Sequence, residues 1–320
     1  MFSGSFDVYN KLTNDALIRI SVPSTTGVGS GPYKNIAQVR NTGWDFNLNW
    51  RKAIAGQVMM NAGLNFSGYR NEIVDLNSDT PYYFDYDKNT SSPKYVWMEG
   101  EAINSFLGYE SGGIATQADI DGGNLPTQLV TIGAGDLWYK DQNGDNVISA
   151  EDRIILGSPH PDFIFAVNLG LEYKGFDFNM LLQGVYGAET STLDNLFRGD
   201  FRSVKNRPSF FLDRWTPENP DTYFPRVTLQ SMKLPMSDYF IEDVSYIRGK
   251  EITLGYTIPS RITRKIFVDN LRVYINMMNA FTLTNYRGLD PERPDPSSGA
   301  TSDSVHPPVK TVSFGLQVQL

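Results

Sequence analysis

The chain of 320 residues has no cysteine and only two histidines. Without cysteine there is no disulfide framework, no thiolate zinc site and no thiol nucleophile. The two histidines, His160 in Ser-Pro-His-Pro and His306 in Val-His-Pro-Pro, read as loop residues with structural or incidental roles and leave little for histidine-based catalysis. Long apolar runs are also missing, so no helix is expected to cross a membrane. A basic surface is lacking: 28 Lys and Arg against 36 Asp and Glu leave a net charge of −8, which argues against a nucleic-acid partner. The glycines of Ser3-Gly4-Ser5 and Gly27-Val28-Gly29 match no phosphate-cradling loop. No repeat of fixed period is present, which counts against a propeller. The first residues carry no basic segment followed by an apolar one, so no export signal is seen.

What the chain does have is alternation. Phe163, Phe165, Val167, Leu169, Leu171 and Tyr173 are apolar, and the intervening Asn168, Gly170 and Glu172 are small or polar. After the turn at Lys174-Gly175 the parity shifts, with Phe176, Phe178, Met180 and Leu182 set against Asp177, Asn179 and Gln183. Side chains alternate faces along a strand, so residues 163–186 form a hairpin with one apolar and one polar face. Phe163, Tyr173, Phe176 and Tyr186 bracket the apolar face as interfacial aromatics bracket a bilayer. The same pattern recurs in Trp44, Phe46, Leu48 and Trp50, in Met60, Ala62, Leu64 and Phe66, and in Val312, Phe314, Leu316, Val318 and Leu320. Further strands are expected within 1–22, 103–114, 239–257 and 271–283, for nine to eleven in all. Short turns at 52–56, 174–175 and 259–268 alternate with long connections at 75–100, 115–135 and 188–236. That asymmetry predicts an all-β, antiparallel transmembrane β-barrel. A soluble sandwich is the structural alternative. Because an outer-membrane protein needs an export signal, either 1–320 is a piece of a longer chain or the membrane reading fails.

One motif carries sharp chemistry. The segment 141–152, DQNGDNVISAED, places oxygen ligands at positions 1, 3, 5, 9 and 12 of a twelve-residue loop, in Asp141, Asn143, Asp145, Ser149 and Asp152. Val147 offers its carbonyl at position 7. This is the spacing of an EF-hand calcium loop, so Ca²⁺ is the candidate metal, in a structural role; no cofactor is required. Asn146 stands where glycine is usual, and Asp152 is shorter than the usual glutamate. A metal-free, hydrogen-bonded acidic turn is the plainer reading. Catalysis has weaker support: Asp238, Glu242, Asp243, Asp290 and Glu292 supply carboxylates, but no spacing pairs them as a glycoside hydrolase would. The aromatics of 82–86 and 197–215 suit sugar stacking or loop packing, with packing favoured.

Seven segments taken in order resemble the C-terminal barrel region of the SusC/RagA family of TonB-dependent outer-membrane transporters of Bacteroidota. They are NTGWDFNLNW (41–50), GDLWYKDQNGDNVISAEDRIILGSPHPDF (135–163), YKGFDFNMLLQGVYG (173–187), RWTPENP (214–220) with Phe224-Pro225-Arg226, DYFIEDVSYIRGKEITLGYTIP (238–259), LRVYINMMNAFTLTNYRGLDPE (271–292) and the last strand. The resemblance implies that 1–320 is part of a 22-stranded plugged barrel in the outer membrane, acting with a SusD-like surface lipoprotein. It implies import of oligosaccharides or peptides, energised through TonB by the missing N-terminal part, with no enzyme activity. The chain departs from the family in lacking a plug, in Asn146, and in ending on Leu320 where an aromatic is usual. The rival readings are a soluble secreted glycan-binding protein and an all-β glycoside hydrolase; both would stay monodisperse without detergent, as a barrel wall contacting lipid would not.

Overall fold

A computed structural model describes residues 1–19, 32–54, 58–76, 81–86, 93–191, 209–228, 234–292 and 308–319. Eight long strands make one antiparallel wall in which spatial order follows chain order. They are Phe2–Arg19, Tyr33–Ile54, Val58–Asp75, Phe163–Tyr173, Phe176–Tyr186, Tyr246–Ile258, Asn270–Thr284 and Thr311–Gln319. An up-and-down order with neighbouring partners is what hairpin connections produce.

The register turns eight separate alternations into two continuous faces. Phe6, Phe46, Phe66, Phe165, Gly184, Ile247 and Leu283 lie in one transverse row. Successive rows toward the short turns are Gly4, Leu48, Leu64, Val167, Leu182, Gly249 and Phe281, then Phe2, Trp50, Ala62, Leu169, Met180, Ile252, Met277 and Val312. On the opposite face the rows read Ser5, Asn47, Asn65, Ala166, Gln183, Arg248, Thr282 and Arg51, Asn61, Gly170, Asn179, Thr253, Asn276, Ser313. Nothing among the described residues covers the apolar face: Leu254 is 49% and Phe176 54% exposed. An apolar surface of that extent is stable only against lipid or a partner.

Aromatics close the apolar face at both ends. At the long-loop end the rings of Phe6, Trp44, Phe66, Phe163 and Tyr186 follow one another at centroid distances of 6.4, 5.2, 4.9 and 4.9 Å. At the short-turn end Tyr173, Phe176 and Tyr256 share a row, with Phe176 and Tyr256 4.5 Å apart. The Phe163–Tyr173 strand has 11 residues and so runs about 34 Å at the usual rise. Tilted by about 40°, as barrel strands are, it spans about 26 Å of height, the thickness of a membrane's apolar band.

The buried core lies elsewhere. The main apolar cluster joins Tyr95, Phe106, Tyr109, Leu137, Tyr139, Ile148, Leu234, Met236, Tyr239 and Phe240, all from the long connections or the approach to the Tyr246–Ile258 strand. Those connections carry a four-stranded sheet of Tyr82–Tyr86, Pro93–Trp97, Ser105–Gly108 and Ile154–Gly157. Two further pairs join Ser111–Ile114 to Leu137–Tyr139 and Glu189–Ser191 to Ile241–Asp243. The expectation of nine to eleven strands is therefore corrected: sixteen lie in the described residues. The eight extra strands are three to five residues long, too short to show a period. Residues 75–100 and 188–236 are not bare loops, and 103–114 belongs to this loop body rather than to the wall. His306 and Leu320, and residues 192–208 and 229–233 of the long connection, lie outside the described residues.

The two faces make opposite demands on a charge. In the full-length protein, Val167→Arg should cost about 2–4 kcal/mol of stability in a bilayer, and Asn168→Arg, one residue away, less than about 1 kcal/mol. Urea unfolding in lipid vesicles reads both; equal costs would mean that the faces are not segregated by solvent.

Candidate functional site

The site is the polar inner face of the wall together with the loop body that closes over it. Two ties show that the loops fold onto this face. Asn71 donates to Asn41 at 2.8 Å, and its own carbonyl oxygen accepts the Ile103 N–H at 2.8 Å. His160 is held between the Tyr69 hydroxyl at 3.2 Å and the Ile103 carbonyl at 3.1 Å. Burial pushes the His160 pKa below its ordinary value, with the Ile103 carbonyl opposing, so the ring is a neutral structural tie.

Lower on the face the lining is amide. Asn47 donates to Asn65, and Asn49 to Asn47 at 2.6 Å. Glycines make room for such groups: a Cβ at Gly63 would come within 2.9 Å of the Asn49 carbonyl oxygen, and one at Gly255 would meet Asp177 and Arg272. Those two form a bidentate pair at 2.9 and 2.5 Å. The surface is well suited to hydrogen-bonding neutral polar groups, and it presents no catalytic constellation among the described residues.

The strongest electrostatic feature joins two of the quoted segments, 238–259 and 271–292, in a contact that spacing alone does not indicate. Arg248, 1% exposed, donates to Thr282 at 3.0 Å, to Asp290 at 2.7 Å and to Glu292. Lys250 reaches Glu292 at 2.8 Å. A register shift between Gly249 and Glu251 accompanies this arrangement and leaves Lys250 unpaired in the ladder, as at a β-bulge. Burial raises the Glu292 pKa, but Lys250 and Arg248 outweigh it and hold the carboxyl below its usual range. The Gly288–Glu292 segment is thus clamped to the inner wall. The sequence offered no positional signal, because the bulge at Lys250 hides the inward parity of Arg248.

The remaining carboxylates are occupied as well. Glu242 pairs with Arg287, whose guanidinium lies 5.0 Å over Tyr223 and 5.6 Å over Phe224. Asp238 accepts the Ser111 N–H at 2.8 Å, and Asp243 the Ser245 N–H at 2.7 Å. Phe210 and Phe211 pack on Phe224 at 4.8 and 5.9 Å. The Trp215 ring lies over Gly135, within 2.5 Å of where a Cβ would sit, and Arg226 pairs with Asp136 at 2.7 Å. So the separated segments 135–139, 214–226 and 238–242 meet in one loop body.

In the acidic loop, Asp141 accepts the Gly144 and Asn146 N–H groups at 2.7 and 2.6 Å, and Asp145 accepts that of Val147 at 2.8 Å. Asn143 accepts the Asp145 N–H at 3.0 Å, and the Ser149 hydroxyl that of Glu151 at 3.1 Å. Asp152, fully buried, accepts from Gln142 at 2.9 Å and Ser149 at 2.6 Å. Burial raises its pKa, and these N–H groups bring the net below the usual value. Asn146 adopts φ +63°, the left-handed conformation for which glycine is usual. Ile148 packs in the main core, and its N–H bonds the Thr127 carbonyl at 2.8 Å. Among the described residues no group of three or more His, Cys, Asp and Glu is placed to hold a metal.

Arg248→Met should destabilise the full-length protein by about 3–5 kcal/mol, because it strands the buried Asp290 while Glu292 keeps Lys250. Adding Asp290→Asn should recover most of the loss. Chemical unfolding of the three proteins checks the coupling; an unrecovered loss would show that Arg248 acts through packing alone.

No protein-family model matches the chain. It is 30% and 32% identical to TonB-dependent receptors P3 and P26 of Formosa agariphila, over 98% and 99% of its length and 32% and 33% of theirs. It is 26% identical to TonB-dependent receptor SusC of Bacteroides thetaiotaomicron over 99% of its length and 30% of SusC. In fold it matches the RagAB peptide transporter at TM-score 0.78 and 24% identity, covering 99% of this chain and 33% of that one. The RagAB peptide importer in its open-open state gives 0.75 and 25%, covering all of this chain and 33% of that one. The chain spans about a third of the length of these relatives, each named a receptor, transporter or importer. By sequence and fold together, the chain belongs to the SusC/RagA-type TonB-dependent receptors, as a C-terminal segment of their barrel.

Proposed function

We propose that this chain forms barrel wall and extracellular loops of an outer-membrane nutrient importer that takes up oligosaccharides or peptides. The carrying observation is the pair of continuous faces. An apolar band about 26 Å high between two aromatic rows fits the lipid, and an amide-rich inner face fits a conduit for neutral polar cargo. The naming of the relatives supports the same reading. The segment does no chemistry; it lines the path and presents a rigid loop body to a SusD-like surface lipoprotein. Energy reaches it from TonB through parts of the receptor outside residues 1–320. The host is a Gram-negative cell of the Bacteroidota type. Deleting the receptor gene and following uptake of labelled peptides and oligosaccharides tests the proposal. Loss of uptake of one class, with a surface lipoprotein co-purifying with the intact receptor, is the expected result. Unchanged uptake of both classes, with the barrel purified alone, would overturn it.

We also propose that the 141–152 loop takes one Ca²⁺, with Asp141, Asn143, Asp145, Ser149, Asp152 and the Val147 carbonyl as ligands. The left-handed Asn146 supports it, since the sixth position of such a loop needs that turn. The ion would offset repulsion among the acidic side chains and stiffen the loop body. Calorimetry on the full-length receptor, with Asp145→Ala as control, should give calcium heat in the parent only. No heat, or equal heat in both, would make the loop an ordinary acidic turn.

A further inference from the structure

The connection between the sixth and seventh wall strands stands out at the short-turn end. It is a single turn of helix, Ser260–Thr263, followed by a 3₁₀ turn, Arg264–Ile266. Arg261, Arg264 and Lys265 are all exposed there, and none makes an ion pair with another described residue. Asp269 is the only local anion, so residues 260–269 carry +2 in a chain of net −8. Beside the cations, Ile262 is 58% and Phe267 91% exposed.

Phe267 is the telling residue. It caps the 3₁₀ turn at φ +60°, its N–H bonding the Arg264 carbonyl at 3.3 Å, while the Val268 N–H bonds that of Thr263 at 3.2 Å. Such a position ordinarily takes glycine or asparagine, because a side chain there is strained. A phenylalanine that is both strained and solvent-facing gains nothing from the fold. Its neighbours indicate what covers it. The turn sits just past the aromatic row of Tyr173, Phe176 and Tyr256, where the apolar outer face ends. Lys52, near the end of the Tyr33–Ile54 strand, and Lys174, in the turn after Tyr173, are also exposed at that end.

We propose that the 260–268 turn is a membrane-anchoring site: Ile262 and Phe267 enter the acyl boundary while Arg261, Arg264 and Lys265 bind phosphate-bearing phospholipid headgroups. Apolar insertion next to a cation cluster is the chemistry of an interfacial anchor for anionic lipid. The site rests on the barrel reading above, and it assigns the short-turn leaflet a specific lipid contact.

The test places the full-length receptor in phosphatidylcholine nanodiscs with and without phosphatidylglycerol and reads thermal midpoints. Phosphatidylglycerol should raise the wild-type midpoint by several degrees, and the gain should fade in about 0.5 M salt. The Arg261→Gln/Arg264→Gln/Lys265→Gln variant should lose most of that gain. Phe267→Gly should be at least as stable as wild type in detergent, since glycine relieves the strained backbone, yet gain less from the anionic bilayer. Equal gains in wild type and both variants, or a gain indifferent to salt, would overturn the inference. A receptor that enters neither bilayer would overturn the barrel reading and this site with it.

Discussion

The structure depends on the requirement that every backbone N–H and C=O of the wall be paired with a neighbouring strand. In a hydrocarbon layer no water is available to satisfy a stray group, so an antiparallel ladder is among the few arrangements open to such a chain. Pairing fixes register, and register fixes faces, because one slipped residue would carry a whole strand's apolar set to the wrong side. That the row from Phe6 to Leu283 crosses seven strands without a charged residue is the result of that requirement. The edges of the wall, at Phe2–Arg19 and Thr311–Gln319, are the places where the ladder has no partner among the described residues.

The loop end obeys a different rule. There the chain is surrounded by water and builds an ordinary core, with Phe106, Met236 and Phe240 completely buried. Close backbone approach drives its assembly: Gly108 lies against the Met236 backbone so tightly that no Cβ would fit, and the Tyr109 N–H bonds the Met236 carbonyl at 2.9 Å. Charge then fastens the Gly288–Glu292 segment to the wall through Arg248 and Asp290, while Arg287 and Glu242 pair within the loop end. In the proposed importer, a stiff loop body on the polar-lined wall would hold the mouth in one geometry for a surface partner.

The wall was legible from sequence because a period of two sustained over ten residues arises almost only in a strand with two unlike faces. Residues 163–186 gave both strands, their turn and their faces correctly. The loop body was not legible, because Ser105–Gly108 and Ile154–Gly157 pair across about fifty residues on short runs without a period. The role of His160 as a structural loop residue could be read from its Pro-flanked setting, but not its tie between Ile103 of the loop body and Tyr69 of the wall. The Arg248 cluster escaped notice for a similar reason: its parity depends on a bulge at Lys250, and bulges leave no mark in a single sequence. The family resemblance reached further than the pattern, since its motifs at 135–139, 214–226 and 238–242 meet in the loop body.

The central claim is that odd-numbered residues from Phe163 to Tyr173 face lipid and even-numbered ones face the interior. The chain contains no cysteine, so single cysteines can be introduced at each position of 163–173 in the full-length receptor, spin-labelled, and their collision rates with oxygen and with a water-soluble nickel complex measured in a bilayer. The account predicts a period of two, with oxygen access highest at 165, 167, 169 and 171 and nickel access highest at 166, 168, 170 and 172. A flat profile, or the opposite phase, would contradict it.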